Sequence, residues 1–165
     1  MGFGAVPMSE KRLRLVSLGG TFDALHIGHY FLLQEAFDVA DRVVIGITSD
    51  EFARELHKPH HIDCYEKRLA DLKRFLEERG LLDRAEIFPL GDPYGPTIDS
   101  PDIEGIVVSE ETEGRAEEIN RLRAAKGQRS LLIICIKMIL AEDGKPVSST
   151  RIRHQEVDRR GRLIG

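Results

Sequence analysis

Residues 18–29 read LGGTFDALHIGH, which sets two histidines three apart just after a glycine pair. An apolar strand runs into a Gly19-Gly20 turn, where the missing Cβ atoms let the backbone pass close to a ligand. The helix that follows points unpaired backbone N–H groups and the positive end of its dipole back at that turn. His26 and His29 share one face of its first turn, because positions three apart are neighbours on a helix. Gly28 between them lets the backbone sit against a bulky ligand. Two imidazoles able to donate hydrogen bonds, beside a helix N-terminus, make an anion site suited to a nucleotide triphosphate. The bland alternative is a strand-to-helix turn with Asp23 as a local cap, and the paired histidines argue against it.

Three further segments carry candidate chemistry. Ser148–Arg153 (SSTRIR) brings three hydroxyls, free backbone N–H groups and Arg151 to a helix start, which suits a β- or γ-phosphate. Leu56–Cys64 (LHKPHHIDC) places Lys58 on a loop, where an ammonium can neutralise charge that repels an incoming anion. Its His57, His60, His61 and Cys64 could be zinc ligands, but four ligands in eight residues around a proline fit known spacings poorly, and the histidines read as solvated loop residues. Ile106–Asn120 opens with a strand and the cluster Ser109-Glu110-Glu111-Thr112; by itself it reads as a capped, acidic, solvated helix.

The elements that hold these segments alternate. Strands are expected over Leu13–Leu18, Arg42–Thr48, Ala85–Leu90, Ile106–Ser109 and Leu131–Ile136. Helices are expected over Gly28–Ala40, Glu66–Arg79, Thr112–Lys126 and about Thr150–Glu156, with Gly80 and Gly127 as C-terminal glycines. Gly91–Asp102, with three prolines and two glycines, is a loop. Continuous apolar strands between helices imply a parallel sheet covered on both faces. The fold expected is a Rossmann-like, doubly wound α/β domain of five parallel strands, with its ligand beyond the carboxyl ends of the strands where their order reverses.

The 165 residues make one domain over 1–165, with 1–9 a candidate disordered tail. With 24 basic against 28 acidic residues, the net charge of −4 gives no global field for nucleic acid, so a polyphosphate must be held by a local cluster. Cys64 and Cys135 make no disulfide framework, and Cys135 is expected to be buried in its strand. A reducing cytoplasm fits. Met1–Ser9 lacks a signal-peptide pattern, and Leu131–Ile136 is too short to span a bilayer, so no membrane association is expected. Nothing in the sequence sets an oligomeric state.

GGTFDALHIGH resembles the signature of the HxGH nucleotidyltransferases, and SSTRIR their second, serine-rich signature. SEET after the fourth strand and Gly91–Pro96 (GDPYGP) are similar to one subfamily, the phosphopantetheine adenylyltransferases of archaeal and eukaryotic type. The resemblance runs from about Leu13 to the end. It implies transfer of AMP from ATP to 4′-phosphopantetheine, giving dephospho-coenzyme A and pyrophosphate without a covalent enzyme intermediate. It further implies Mg²⁺ on the triphosphate, held mainly by nucleotide and water. His29 and His26 would stabilise charge on the transferring group, and Lys58 would reach the phosphates of both substrates. Gly19, Gly20, Thr21, Phe22, Asp23 and Gly28 would surround the α-phosphate. Ser109, Glu110 and Thr112 would face the adenosine, while Ser148, Ser149, Thr150 and Arg151 would take the terminal phosphates. Two departures stand out. SEET replaces the arginine-rich segment of bacterial enzymes, and His154-Gln155 stands where Arg-Gly is expected, leaving Arg151 and Arg153 as the cations of that turn. Other HxGH enzymes, acting on a flavin, nicotinamide mononucleotide or a phospho-alcohol, and a non-catalytic nucleotide sensor remain alternatives.

Overall fold

The computed structural model describes residues 12–58 and 60–165; the candidate tail at 1–9 lies outside them. The elements are β1 Leu13–Gly20, α1 Ile27–Val39, β2 Ala40–Thr48, α2 Asp50–Glu55, α3 Tyr65–Glu78, β3 Ala85–Leu90, β4 Gly105–Ser109, α4 Glu113–Ala125, β5 Leu132–Ile136 and α5 Ser149–Arg153. One parallel sheet has the order β3-β2-β1-β4-β5, and its direction of winding reverses between β1 and β4. The expected Rossmann-like architecture is present, with the histidine segment leaving β1 at that reversal.

The period-two alternation of the strands divides two cores. Val16 and Leu18 of β1, Val43, Ile45 and Ile47 of β2 and Val107 of β4 meet Leu33, Ala36 and Phe37 of α1 and Leu72 and Leu76 of α3. On the other face, Ile106 and Val108 of β4 meet Ala116 and Ile119 of α4. A third, small cluster of Ala141, Val147 and Val157 packs on Ile27 and Ile152, which seats the C-terminal segment beneath the start of α1. Among the described residues no helix is long and apolar enough to cross a membrane.

Four local expectations change. Gly19 and Gly20 belong to β1, paired with Gly46 and Ile47, so they do not form the turn. The turn is made by Phe22 (φ 54°) and Ala24 (φ 48°), non-glycine residues in the left-handed region. Gly19 instead makes room for a neighbour, since a Cβ there would lie 3.1 Å from Leu90 Cδ1. The short helix α2 was not expected; Ser49 caps it by accepting the Phe52 N–H at 3.1 Å, and Asp50 and Glu51 complement its dipole. Cys135 is exposed, because β5 is an edge strand whose outer positions, Leu132 among them, face solvent.

Candidate active site

A cavity of about 500 Å³ opens at the carboxyl end of the sheet. Its floor is Gly19–Asp23, at the end of β1 and just beyond it, with His26, Gly28 and His29. Ser109, Thr112 and the Ile136–Ile139 segment beyond β5 form one wall, Phe52, Leu56, Lys58, Phe88 and Leu90 the opposite one, and Ser148, Ser149 and Thr150 the rim.

The histidines are the N-terminal cap of α1. His26 is the N-cap residue, and its Nδ1 accepts the Gly28 N–H at 3.0 Å. His29, at the third helical position, accepts the His26 N–H on its own Nδ1 at 3.2 Å. This is a capping box built from imidazoles where Ser and Glu are usual. The remaining early amide, Ile27 N–H, donates to the Arg159 carbonyl at 2.8 Å. The amides of residues 26–28 are therefore occupied, and the expectation of free helix N–H groups at this point is corrected. What remains for a ligand is the imidazole edge. Since each Nδ1 accepts, each neutral ring carries its hydrogen on Nε2.

The two rings lie 3.9 Å apart, and Phe22 packs 5.3 Å from His29. Burial lowers the His26 pKa to about 4, with the Arg159 cation adding to the effect. His29 is held well below the ordinary histidine value by burial first, then by His26 and Arg159. Both rings are neutral hydrogen-bond donors at physiological pH. Gly28 lines the cavity and also accommodates the capping ring, since a Cβ there would lie 2.8 Å from His26 Cε1 and 3.0 Å from Nδ1.

Charged partners sort the other predicted residues. Asp23 is buried, and its carboxylate accepts Arg153 Nη2 at 2.8 Å, Arg153 Nε at 3.2 Å and the Asp63 N–H at 3.0 Å. Its carbonyl accepts the Ser149 hydroxyl. Arg153 in turn lies 3.0 Å from Asp63 and is raised in pKa, chiefly by the Asp23 hydrogen bond. Burial is the largest single influence on Asp63 and raises it, but the Arg153 hydrogen bond and charge, with Lys67 and His61, together hold it below its ordinary value. Arg151 is not brought to the cavity. It pairs with Asp143 and with Glu156 at 2.9 Å and donates to the Lys145 and Pro146 carbonyls, so it braces the turn before α5. Glu110 also turns away, its Oε1 accepting the Met138 N–H at 3.1 Å and joining the loops after β4 and β5. Ser109 and Thr112 do line the cavity and are tied together, the Ser109 N–H donating to Thr112 Oγ1 at 3.2 Å.

Of the loop histidines, His57 and His61 are exposed as expected, but His60 is not. The His60 side chain is only 4% exposed and sits 4.0 Å from Asp23 Oδ2. His57 takes φ 50° just beyond α2, a left-handed ending that turns the chain toward Lys58. Among the described residues no group of three or more His, Cys, Asp or Glu side chains is placed to hold a metal ion. Arg115 and Lys137 line the cavity and were not singled out from sequence; Lys137 directly follows β5, a ligand-rim position in this fold.

The fold and the capped histidine pair define a nucleotidyltransferase-like domain. The cytidylyltransferase-like family model matches residues 17–155, and the chain belongs to that family. Within it, the phosphopantetheine adenylyltransferase of Methanopyrus kandleri is 48% identical over 147 residues, covering 89% of this chain and 92% of its own. That of Methanosarcina barkeri is 46% identical over 151 residues, covering 90% and 91%. The crystal structure of a protein with unknown function from Archaeoglobus fulgidus superposes with TM-score 0.67 and 35% identity, covering 75% of this chain and 89% of that one.

Proposed function

We propose that the chain transfers AMP from ATP to 4′-phosphopantetheine, forming dephospho-coenzyme A and pyrophosphate. The observation that carries the chemistry is the imidazole capping box, which leaves two fixed Nε2–H donors at the cavity floor. The kinship with phosphopantetheine adenylyltransferases supports the choice of substrates.

In this reading the cavity has two apolar ends with the histidines between them. Val108, Ile136 and Ile139 lie on the β4–β5 side, toward which Ser109 and Thr112 would place adenosine. Phe52, Leu56, Phe88 and Leu90 offer the β2–β3 side to the long, neutral arm of the acceptor. A phosphate oxygen of the acceptor attacks the α-phosphorus; the bond from that phosphorus to the β-bridging oxygen breaks, and its electron pair leaves with pyrophosphate. The acceptor phosphate supplies an anionic oxygen, so the attack needs no general base. His29 and His26 donate to oxygens that gain charge as the bonds exchange, and Lys58 screens the approach of one polyanion to another. Ser148 and Thr150 would receive the terminal phosphates, beside Ser149, whose hydroxyl is held by the Asp23 carbonyl.

Without a cluster of ligating side chains among the described residues, the chain offers no protein cage for Mg²⁺ there. An ion arriving with ATP would be held by triphosphate oxygens and water, where it would supply charge neutralisation. The free thiols of Cys64 and Cys135 fit a reducing, cytoplasmic setting.

A coupled pyrophosphate-release assay tests the reading, with ATP or CTP against 4′-phosphopantetheine, nicotinamide mononucleotide, flavin mononucleotide and glycerol 3-phosphate. Release with ATP and 4′-phosphopantetheine is expected, and His29→Ala should lower kcat by roughly 10²–10³-fold, the usual cost of one transition-state donor. ATP binding without release to any acceptor would identify a nucleotide sensor instead.

A further inference from the structure

Asp63 and Arg153 do not line the cavity, yet they join three segments that do. We propose that the Asp23–Arg153–Asp63 ion cluster is a latch that positions Lys58 for the reaction, with Arg153 and Asp63 as positioning residues. This rests on the function proposed above.

Lys58, His60 and Ile62 all line the cavity. Upstream, α2 ends at the left-handed His57. Downstream, Asp63 is held three ways. Its N–H donates to Asp23 Oδ1 at 3.0 Å, its carbonyl accepts the buried Arg68 Nε at 2.7 Å, and its carboxylate lies 3.0 Å from Arg153 Nη2. The same Arg68 also donates to the Thr21 and Thr48 carbonyls, so the far end of the stretch is referenced to the ends of β1 and β2. Arg153 Nη2 is shared between Asp23 at 2.8 Å and Asp63, while its Nε takes the second Asp23 oxygen. A guanidinium can bridge two carboxylates in this way because its donors form a rigid fork. Arg153 is the last residue of α5, whose first turn carries the serine rim, and Ser149 is itself bonded to the Asp23 carbonyl. Rim, floor and Lys58 stretch therefore share one ionic junction. A shift of any of them moves the register of the cavity-facing side chains.

The test is a double-mutant cycle on Asp63 and Lys58, read as kcat/KM for pyrophosphate release from ATP and 4′-phosphopantetheine. Asp63→Ala should lower kcat/KM about tenfold, the worth of one partly exposed charge-assisted hydrogen bond. In a Lys58→Ala background the same change should cost less than about twofold, because the residue it positions is gone. Asp63→Asn, which keeps both backbone anchors, gives a second variant should Asp63→Ala fold poorly. Hydrogen exchange at residues 60–63, measured without substrate, should quicken in Asp63→Asn while β1 and β2 stay protected. Full multiplication of the two kinetic losses, or no loss from Asp63→Ala, overturns the latch. A wild type that releases no pyrophosphate with this acceptor overturns the function instead, and the latch is then decided by exchange, where an unchanged rate refutes it.

Discussion

Replacing His26 by asparagine separates its two duties, as a buried base and as a helix cap. In the folded chain His26 is 7% exposed, and its pKa falls to about 4, burial being the larger cause and Arg159 the smaller. The unfolded chain binds the proton near 6.5, so between 6.5 and 4 the unfolded state holds more protons and stability rises with pH. The stability is complete above 6.5 and is lost as pH falls toward 4. Two and a half pH units at 1.36 kcal/mol each come to about 3 kcal/mol in full, of which about 2 kcal/mol is already lost at pH 5. Asparagine does not titrate, and its Oδ1 can still accept the Gly28 N–H at the N-cap. His26→Asn should therefore cost about 1 kcal/mol at pH 7.5 through lost packing and gain about 2 kcal/mol relative to wild type by pH 5. Urea unfolding at pH 7.5, 6.5, 5.5 and 5.0 measures both curves. His29 is present in both proteins, and burial, the largest cause of its low pKa, stays in both. Curves that fall in parallel to within about 0.5 kcal/mol would refute a buried, neutral His26.

Two glycines supply the remaining predictions. Gly28→Ala places a Cβ 2.8 Å from the His26 ring. The capping imidazole must move, and pyrophosphate release should drop at least tenfold while the urea midpoint falls by only about 1 kcal/mol of stability. Gly46→Ala puts a Cβ 2.6 Å from Leu90 Cγ and 2.9 Å from both its methyls, at the middle of the sheet. It should destabilise by about 1–3 kcal/mol in urea unfolding, with part of the loss recovered in a Gly46→Ala/Leu90→Ala double variant.

What the sequence made legible follows the reach of each signal. Every strand and the three longer helices announce themselves through apolar period and glycine stops, and α5 through its Ser148 cap, since those signals are local. Helix α2 carried its own signal, Ser49 before Asp50 and Glu51, but six residues are too few to show a helical period. Side-chain partners were the least legible part. SSTRIR invites a reading in which its arginines meet phosphate, whereas Asp143 and Glu156 engage Arg151, and Asp23 and Asp63 engage Arg153. A carboxylate 130 residues away leaves no mark near Arg153 in the chain. The same holds for His60, which is buried 4.0 Å from Asp23. The spacing of the histidines was legible, but not that they cap their own helix, because that depends on rotamers chosen by burial.

The junction between the first and last parts of the chain sets an order of events during synthesis. Asp23 is joined to Ser149 and Arg153 across 126 and 130 residues, and the Leu25 carbonyl to Arg159 across 134. On a ribosome adding about 5–20 residues per second, the histidine turn emerges roughly ten seconds before its partners exist. Through that interval the nascent chain has an aspartate with no counter-ion and a cavity with no rim. The floor of the cavity gains its ionic junction and its rim together, when Ser149, Arg153 and Arg159 dock.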